Sequence, residues 1–244
     1  MNFRSKNRNK HIGYFMYGTH AVLSALNNPK RQVHNLYCTS KCAGELSKQL
    51  APHKPEIVSS DFITSKIGKD VNHQGILAHV NTIFKNDIEE LDFTNNQDKV
   101  AILDQISDPQ NVGAIIRSAA AFGITKILLP KDNTPDENAT IAKAASGCLE
   151  LVQVSRITNI QNAIKFLKNK GFWIVGLDAN GHSHIKDIRS IDKTVIIIGS
   201  EEKGMRKLTA EACDFLVNIP ISSKVESLNA STAASIVFYS LSNI

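Results

Sequence analysis

The second half of the chain alternates unbroken apolar runs with stretches whose apolar residues recur every three or four positions. Runs such as 195–198, read Val-Ile-Ile-Ile, are typical of strands covered on both faces, as in a parallel sheet. Helical spacing between the runs indicates right-handed strand–helix–strand crossovers. The pattern predicts strands at 100–103, 124–129, 152–157, 172–177, 195–198 and 215–219, helices at 111–122, 139–148 and 160–170, and a last helix that opens at 227–229.

The front of the chain carries a shorter alternation of the same kind. It predicts a small α/β domain over residues 12–80, with Thr19 as the cap of its first helix. Residues 81–98 are polar and acidic with little to bury, which predicts a linker to a second α/β domain at 99–244. Within the small domain the pattern predicts helices at 19–26, 44–53 and 61–67 and strands at 33–39, 56–60 and 75–80.

Positive charge is concentrated at the front of the chain. The net charge is +5 over 244 residues, yet residues 1–55 contain nine Lys and Arg and a single acid, Glu45. A basic front on a near-neutral body favours a polyanionic partner such as RNA, although a solubilising surface would give the same composition. Residues 1–11 read as a flexible basic arm for RNA or, alternatively, as an organelle transit peptide.

Several function classes find little support in the sequence. No apolar run approaches the ~20 residues of a membrane helix, so no membrane association is expected. The four cysteines lack zinc-site spacing, and His182 and His184 read as a solvated turn, so no metal is expected. Free thiols favour a cytoplasmic location. The chain also lacks both the phosphate loop of nucleotide hydrolases and the Gly-x-Gly-x-x-Gly of NAD enzymes.

Three polar loops follow predicted strands, where open α/β sheets place their ligands. The first carries Asn111, read as a helix cap, and Arg117, an isolated charge on an apolar helix that would need a partner if buried. The second runs from Gly199 to Gly204 and the third leads into the last helix. Each has an ordinary structural reading, as an ion-paired Arg117, a surface Glu201 or a capped terminal helix.

Taken together, the three loops resemble the three motifs of the SpoU/TrmH-type RNA ribose 2′-O-methyltransferases, in the SPOUT superfamily. The matching segments are Asn-Val-Gly-x-Ile-x-Arg-x-Ala-x-x-Phe-Gly from 111, Gly-Ser-Glu-x-x-Gly from 199, and Ile-Pro-Ile followed by Val-Glu-Ser-Leu-Asn-x-Ser-x-Ala-Ala from 219 and 225. At the front, Tyr-Gly-Thr-His-Ala-Val-Leu from 17 and His-Gln-Gly-Ile from 73 are similar to the members that methylate a guanosine of bacterial 23S rRNA.

The resemblance implies properties that the pattern alone does not give. It implies a C-terminal α/β-knot, a deep trefoil knot around a mostly parallel sheet with helices on both faces, behind a small N-terminal RNA-binding domain. It implies S-adenosyl-L-methionine as the cofactor, RNA (23S rRNA first) as the partner, and a homodimer formed through the C-terminal domain. The alternatives are a tRNA ribose methyltransferase and a non-catalytic RNA-binding or ribosome-assembly protein on the same scaffold.

Site residues follow from the matched motif positions. Arg117 is expected to grip a phosphate and stabilise charge on the ribose oxygen, since a guanidinium is a poor base. Glu202 and Ser223 stand where the family has glycine, which would cause strain if either needed a positive φ. The resemblance implies cofactor binding by Leu177, Gly199, Gly204, Ile219 and Leu228, and a reaction site of Asn111, Arg117, Glu201, Ser227 and Asn229.

Overall fold

A computed structural model describes residues 13–189 and 191–242. The basic arm predicted for residues 1–11 lies outside the described residues. Within them, no helix is both long enough and apolar enough to span a bilayer.

The front of the chain forms a four-stranded mixed sheet with helices. The strands lie in the order β1-β4-β2-β3; β4 runs antiparallel to β1 and β2, and β3 runs parallel to β2. The elements are β1 (Gly13–Tyr17), α1 (Thr19–Asn27), β2 (Val33–Cys38), α2 (Ser40–Glu45), α3 (Ser47–Leu50), β3 (Glu56–Ile57), α4 (Ser60–Ile67) and β4 (Ile76–Asn81).

The rest of the chain forms a seven-stranded sheet in the order β7-β6-β5-β10-β8-β11-β9, in which all neighbours run parallel. The elements are β5 (Lys99–Leu103), α5 (Pro109–Ala121), β6 (Lys126–Pro130), α6 (Ala139–Ala145), β7 (Gln153–Ile157), α7 (Ile160–Asn169), β8 (Trp173–Leu177), β9 (Ser183–His184), β10 (Thr194–Ile198), α8 (Lys207–Glu211), β11 (Phe215–Asn218) and α9 (Ala230–Leu241), with short 3-10 turns at Ile88–Glu90, Cys148–Leu151 and Ile185–Ile188.

Helices cover both faces of the large sheet, because its central strands are apolar at nearly every position. Along β10, Ile196 and Ile198 point into one hydrophobic cluster with residues of α5, α6 and α9. Val195 and Ile197 point into a second cluster with α7. The predicted doubly covered parallel sheet is therefore confirmed.

Strand order also decides where a ligand can bind. The chain moves outward from β5 through β6 and β7, then returns to the other side of β5 to build β8, β10 and β11. This reversal leaves a crevice outside the carboxyl ends of β5, β10, β8 and β11, as in other open parallel sheets.

Several predicted helices begin or end at residues other than those predicted. Gly18, with φ of 89°, precedes α1, so Thr19 is the first helical residue and not a cap. Asp108 caps α5 by accepting from the Gln110 N–H, which places Asn111 inside the first turn. The helix predicted at 44–53 is two short helices, α2 and α3, and residues 146–148 lie beyond the end of α6.

Residues 81–98 bury more than their composition indicated. Leu91 and Phe93 are 5% and 7% exposed and belong to the cluster beside α7. Lys85 bonds β7 through its backbone, receiving from Arg156 N–H and donating to Val154 O. The expectation of little to bury is therefore wrong, while the domain boundaries themselves stay predictions.

A buried ionic cluster joins the two sheets. Arg31 lies between Glu137 and Glu150, with nitrogen–oxygen distances of 2.5 Å to each and side chains almost wholly inaccessible. The Tyr14 hydroxyl donates to Glu137 at 2.9 Å, and Asn28 Nδ2 donates to Glu150 at 2.6 Å. Burial, followed by the Glu137 charge, raises the pKa of Tyr14 well above its ordinary value, so the phenol remains a donor. We call these five residues the junction cluster.

Candidate functional site

The crevice at the strand ends contains an elongated cleft of about 340 Å³, within the size range of small-molecule sites. Its walls come from the ends of β8, β10 and β11 and from the segment before α9. We call it the strand-end cleft. All five residues predicted to bind the cofactor line it: Leu177, Gly199, Gly204, Ile219 and Leu228.

Gly199 lets the second loop fold back tightly on itself. A Cβ at this position would lie 2.3 Å from the backbone carbon of Gly204 and 2.4 Å from Met205 N. The turn is closed by two bonds between Ser200 and Gly204, from the Gly204 N–H at 2.8 Å and the Ser200 N–H at 3.2 Å. Glycine is thus required at 199 for close backbone approach.

A second, more polar cleft of about 510 Å³ adjoins the first. Both are lined by Ser200, Glu201 and Lys203, which therefore form the boundary between them. The remaining walls of this polar cleft come from the turn after β5, from Asn111 in the first turn of α5, and from Asn133 after β6.

Asn229 connects all three predicted motifs. Its Nδ2 donates to Asn111 Oδ1 at 3.1 Å and lies 3.4 Å from Glu201 Oε2. Its Oδ1 caps α9 by accepting from the backbone N–H of Ser231 at 2.9 Å. Because the side-chain oxygen of Asn229 forms the cap, its amide nitrogen is directed toward the boundary of the two clefts.

The other two predicted reaction residues lie apart from this hydrogen-bonded set. Ser227 is exposed and lines the strand-end cleft. Arg117 is also exposed, nearly two turns beyond Asn111 along α5, and lines neither cleft. Its predicted need for a buried partner is wrong because the side chain reaches solvent. Its role in a reaction site stays a prediction.

Residues replacing family glycines do not strain the loops. Neither Glu202 nor Ser223 is among the described residues with positive φ. Both side chains are exposed, and Glu202 lines the polar cleft.

Sequence reasoning missed Asp104 at the end of β5. Its side chain is fully buried, and it accepts from the Arg206 backbone N–H at 3.0 Å and pairs with the Arg206 guanidinium at 3.4 Å. The contact fixes the far end of the loop that begins at Gly199. An acid directly after the apolar run 100–103 was the available signal, because an isolated buried charge needs a partner.

A metal centre has no basis in the described part of the chain. Across residues 13–189 and 191–242, no three His, Cys, Asp or Glu side chains group closely enough to hold an ion. The four cysteines are free.

The sequence and the fold have counterparts in known proteins. Residues 98–239 match the model of the SpoU rRNA Methylase family, and residues 15–83 match the model for RNA 2′-O ribose methyltransferase substrate binding. Similar curated proteins include 23S rRNA (guanosine-2′-O-)-methyltransferase RlmB of Vibrio parahaemolyticus, 34% identical with 92% of this chain and 94% of that protein covered. Another is the putative TrmH family tRNA/rRNA methyltransferase YacO of Bacillus subtilis, 31% identical with 92% and 93% covered.

Solved structures show the same fold at lower identity. The SpoU methyltransferase AviRb of Streptomyces viridochromogenes, in complex with AdoMet, superposes with a TM-score of 0.83 at 19% identity, covering 98% of this chain and 92% of that one. A putative TrmH-family RNA methyltransferase of Porphyromonas gingivalis gives 0.77 at 22%, covering 98% and 93%. On its sequence match and its fold, the chain belongs to the SpoU rRNA methylase family.

Proposed function

We propose that this chain transfers a methyl group from S-adenosyl-L-methionine to the ribose 2′-hydroxyl of a guanosine in 23S rRNA. The observation that carries the proposal is the contact of Asn229 with Asn111 and Glu201, at the boundary between an elongated cleft and a polar one. The substrate class is supported by relatives named as 23S rRNA guanosine-2′-O-methyltransferases, at 34% and 35% identity over most of the chain.

The strand-end cleft suits S-adenosyl-L-methionine by its chemistry. Leu177, Val217 and Leu228 give apolar walls for an adenine, and Gly199 and Gly204 line the same cleft without side chains, which leaves their backbone groups available to its edge. Asp178, Glu201 and Glu226 supply negative charge along the lining for a ligand with an ammonium and a sulfonium. When bound, the cofactor supplies an electrophilic methyl group.

The residues of the chain then have to orient the ribose and stabilise charge on its 2′-oxygen. Asn229 holds Asn111 through a hydrogen bond, and Asn111 offers its amide nitrogen at the wall of the polar cleft. Such positioning supplies up to ~7–11 kcal/mol of a reaction barrier. Ser227 orients the ribose, and Arg117 holds the adjacent phosphate and the developing negative charge.

Arg117 acts in the cleft of a second copy of the chain. It projects from α5 to solvent and does not reach either cleft of its own chain. On α9, which packs against α5, Tyr239 is 66% exposed and its ring lies 5.6 Å from Phe122 at the end of α5. An exposed cation on α5 and an exposed aromatic ring on the packed helix α9 support a homodimer through the C-terminal domain.

The segment 219–229 passes under the loop that begins at Gly199 as a trefoil knot. Support comes from the strand-end cleft, which is built from both segments, and from the Asn229–Glu201 contact between them. The enzyme acts in the cytoplasm, where ribosomal RNA is assembled into ribosomes.

Mapping of 2′-O-methyl marks on 23S rRNA and tRNA, with and without the protein, tests the proposal. One guanosine of 23S rRNA should lose its mark in a strain without the protein and regain it with the wild-type chain. A lost tRNA mark would instead identify a tRNA enzyme. Absence of S-adenosyl-L-methionine binding by calorimetry would leave only a non-catalytic RNA-binding role.

Mixing two inactive variants tests the position of Arg117. Arg117→Ala removes the cation, and Leu228→Arg fills the strand-end cleft; each alone should abolish methylation. In mixed dimers, the cleft of the Arg117→Ala chain is intact and receives Arg117 from its partner, so activity should return. If mixing restores nothing, although the two variants form mixed dimers, Arg117 does not act across an interface.

A further inference from the structure

The small sheet has one face packed on the core and another that carries a row of rings. Tyr14, Met16 and Val80 point to the core side. Phe15 and His79 lie opposite each other on β1 and β4, on the other side. His34 on β2 continues the row, so that three adjacent strands each contribute one ring.

The rings of this row are in mutual contact and keep a fixed orientation. Their centroids are 5.1 Å apart for Phe15 and His79 and 5.2 Å apart for His34 and His79, with tilts of 43° and 40°. His34 Nε2 bonds Asn81 Oδ1 at 2.6 Å, because Asn81 uses its Nδ2 to donate to Gln32. All three rings are half-buried, so part of each remains accessible.

The row ends at a cleft of about 320 Å³ on the open edge of β2. The short strand β3 pairs only with Tyr37 and Cys38, which leaves the first half of β2 as an edge. The cleft is lined by apolar residues and by polar groups of both signs: Leu26, Val33, His34, Asn35, Leu36, His53, Lys54 and Glu56.

Lys54 supplies this cleft with a formal positive charge. It is exposed, and its backbone has φ of 46°, an unusual value for a residue other than glycine. Asn35 is exposed beside it with amide groups for a base edge. Within the described residues 13–55, Lys30, Lys41 and Lys48 are further exposed cations, against one exposed acid, Glu45.

We propose that the ring row and its cleft bind an unpaired stretch of RNA, with bases stacked on His34 and Phe15 and a phosphate held by Lys54. Half-exposed rings beside a cation are the features by which proteins hold single-stranded RNA, whereas duplex RNA presents no free base faces. The inference rests on the proposed function, in that the RNA is the methylation substrate, and it assigns the face on which that substrate is held.

RNA binding by the full chain, measured by fluorescence anisotropy, tests this inference without any turnover. The probes are a labelled single-stranded oligonucleotide and the same sequence as a duplex. His34→Leu should weaken single-strand binding about tenfold, which corresponds to about 1.4 kcal/mol and lies within the range for one stacked base. His34→Phe keeps a ring and should restore binding.

Further variants separate charge from stacking. Lys54→Gly removes the ammonium and suits a positive φ, and it should weaken binding less at high salt than at low salt. The matched controls are Trp173→Leu, a half-exposed ring on the large sheet, and Lys41→Gly, an exposed lysine on helix α2 of the small domain. Both should bind like the wild type.

Unchanged single-strand binding by His34→Leu, or equal losses for single strand and duplex, would overturn the inference. If His34→Leu fails to fold, as judged by its thermal unfolding, Phe15→Leu and Lys54→Gly decide by the same criteria. A chain that binds single strands through this face but adds no methyl group would contradict the proposed function alone.

Discussion

Asn229 shows how one side chain can serve the fold and the site at once. Its oxygen accepts the N–H of Ser231 in the first turn of α9, as asparagine does at many helix starts. Its nitrogen is thereby left to reach Asn111 and Glu201. Replacement by aspartate would keep the cap but place two carboxylates together, so the amide is needed for the second contact.

Asn229→Ala should lower the free energy of unfolding by about 1 kcal/mol, the usual effect of losing a helix cap. Methylation should fall much further, because Asn111 loses its partner. The matched control is Asn159→Ala, which removes the cap of α7 without touching either cleft. Calorimetric unfolding and a methylation assay on both variants test this prediction. Equal losses of activity in Asn229→Ala and Asn159→Ala would contradict it.

Buried thiols should resist alkylation. Burial raises the pKa of Cys38 and of Cys213 to about 12, with smaller contributions from Cys42 and Asp214 respectively. Because the thiolate is the reactive form, both should stay unmodified by iodoacetamide at pH 9 and react in urea. The folded state keeps these protons while the unfolded chain loses them, so this contribution lowers stability as the pH rises from about 9 to 12. Mass spectrometry that found Cys38 alkylated in the folded chain would contradict the prediction.

For single residues, the sequence predicted which positions lie near the clefts better than it predicted the contacts of each side chain. The five residues predicted to bind the cofactor line one cleft because each stands at the end of a strand or in the segment after it, while their role in binding stays a prediction. Asn111 was read as the cap because the helical spacing of apolar residues becomes evident only after it. The cap of α5 is Asp108. Nothing local indicates that Arg117 faces solvent, since its neighbours in sequence are small and apolar.

Among the elements, the loop after β10 is the one whose shape depends most on particular residues. It is held at one end by the backbone approach at Gly199 and at the other by Asp104 and Arg206. Since the loop lines both clefts, its shape determines the position of Glu201 relative to Asn229.

Gly199→Ala should abolish cofactor binding, measured by calorimetry, because a Cβ would overlap the Gly204 backbone and force the loop open. Gly44→Ala, in the exposed helix α2 with open space around it, is the control. It should raise the free energy of unfolding by about 0.5–1 kcal/mol and leave cofactor affinity unchanged. Normal cofactor affinity in Gly199→Ala would show that the loop adapts.

Strands of the large sheet were predictable because buried parallel strands are apolar at most positions. Elements with few apolar residues were not. The two-residue strand β9, Ser183–His184, exists only because β11 offers it a partner. β1 was missed for a different reason: it is rich in aromatic residues but follows directly on the polar arm. Leu91 and Phe93 are isolated apolar residues in an acidic segment, so local periodicity could not reveal that they are buried.

Across the whole molecule, the junction cluster holds the small sheet against the large one. Arg31 and Asn28 come from the segment between α1 and β2, while Glu137 and Glu150 flank α6. Glu137 also accepts from the backbone N–H groups of Ile83 and Phe84. The sequence could not predict this cluster, because each residue reads locally as a surface charge.

Arg31→Met should lower the free energy of unfolding by about 3–5 kcal/mol, since it leaves two buried carboxylates unpaired. Proteolysis between residues 81 and 98 should become faster as the two sheets separate. The control is Lys41→Met, which breaks an exposed pair with Glu45 and should change stability by about 0.5 kcal/mol or less. Equal stabilities in denaturant titrations would show that the cluster does not hold the sheets together.

The placement of β5 has a consequence for biosynthesis. This strand lies at the centre of the large sheet, with Lys99 opposite Thr194 of β10. While the ribosome is still translating the segment between them, one side of β5 has no strand to pair with. The small sheet and β6 are complete well before that moment. We therefore expect the nascent chain to carry an open apolar strand edge for much of its synthesis, which makes it a client for chaperones that bind such edges.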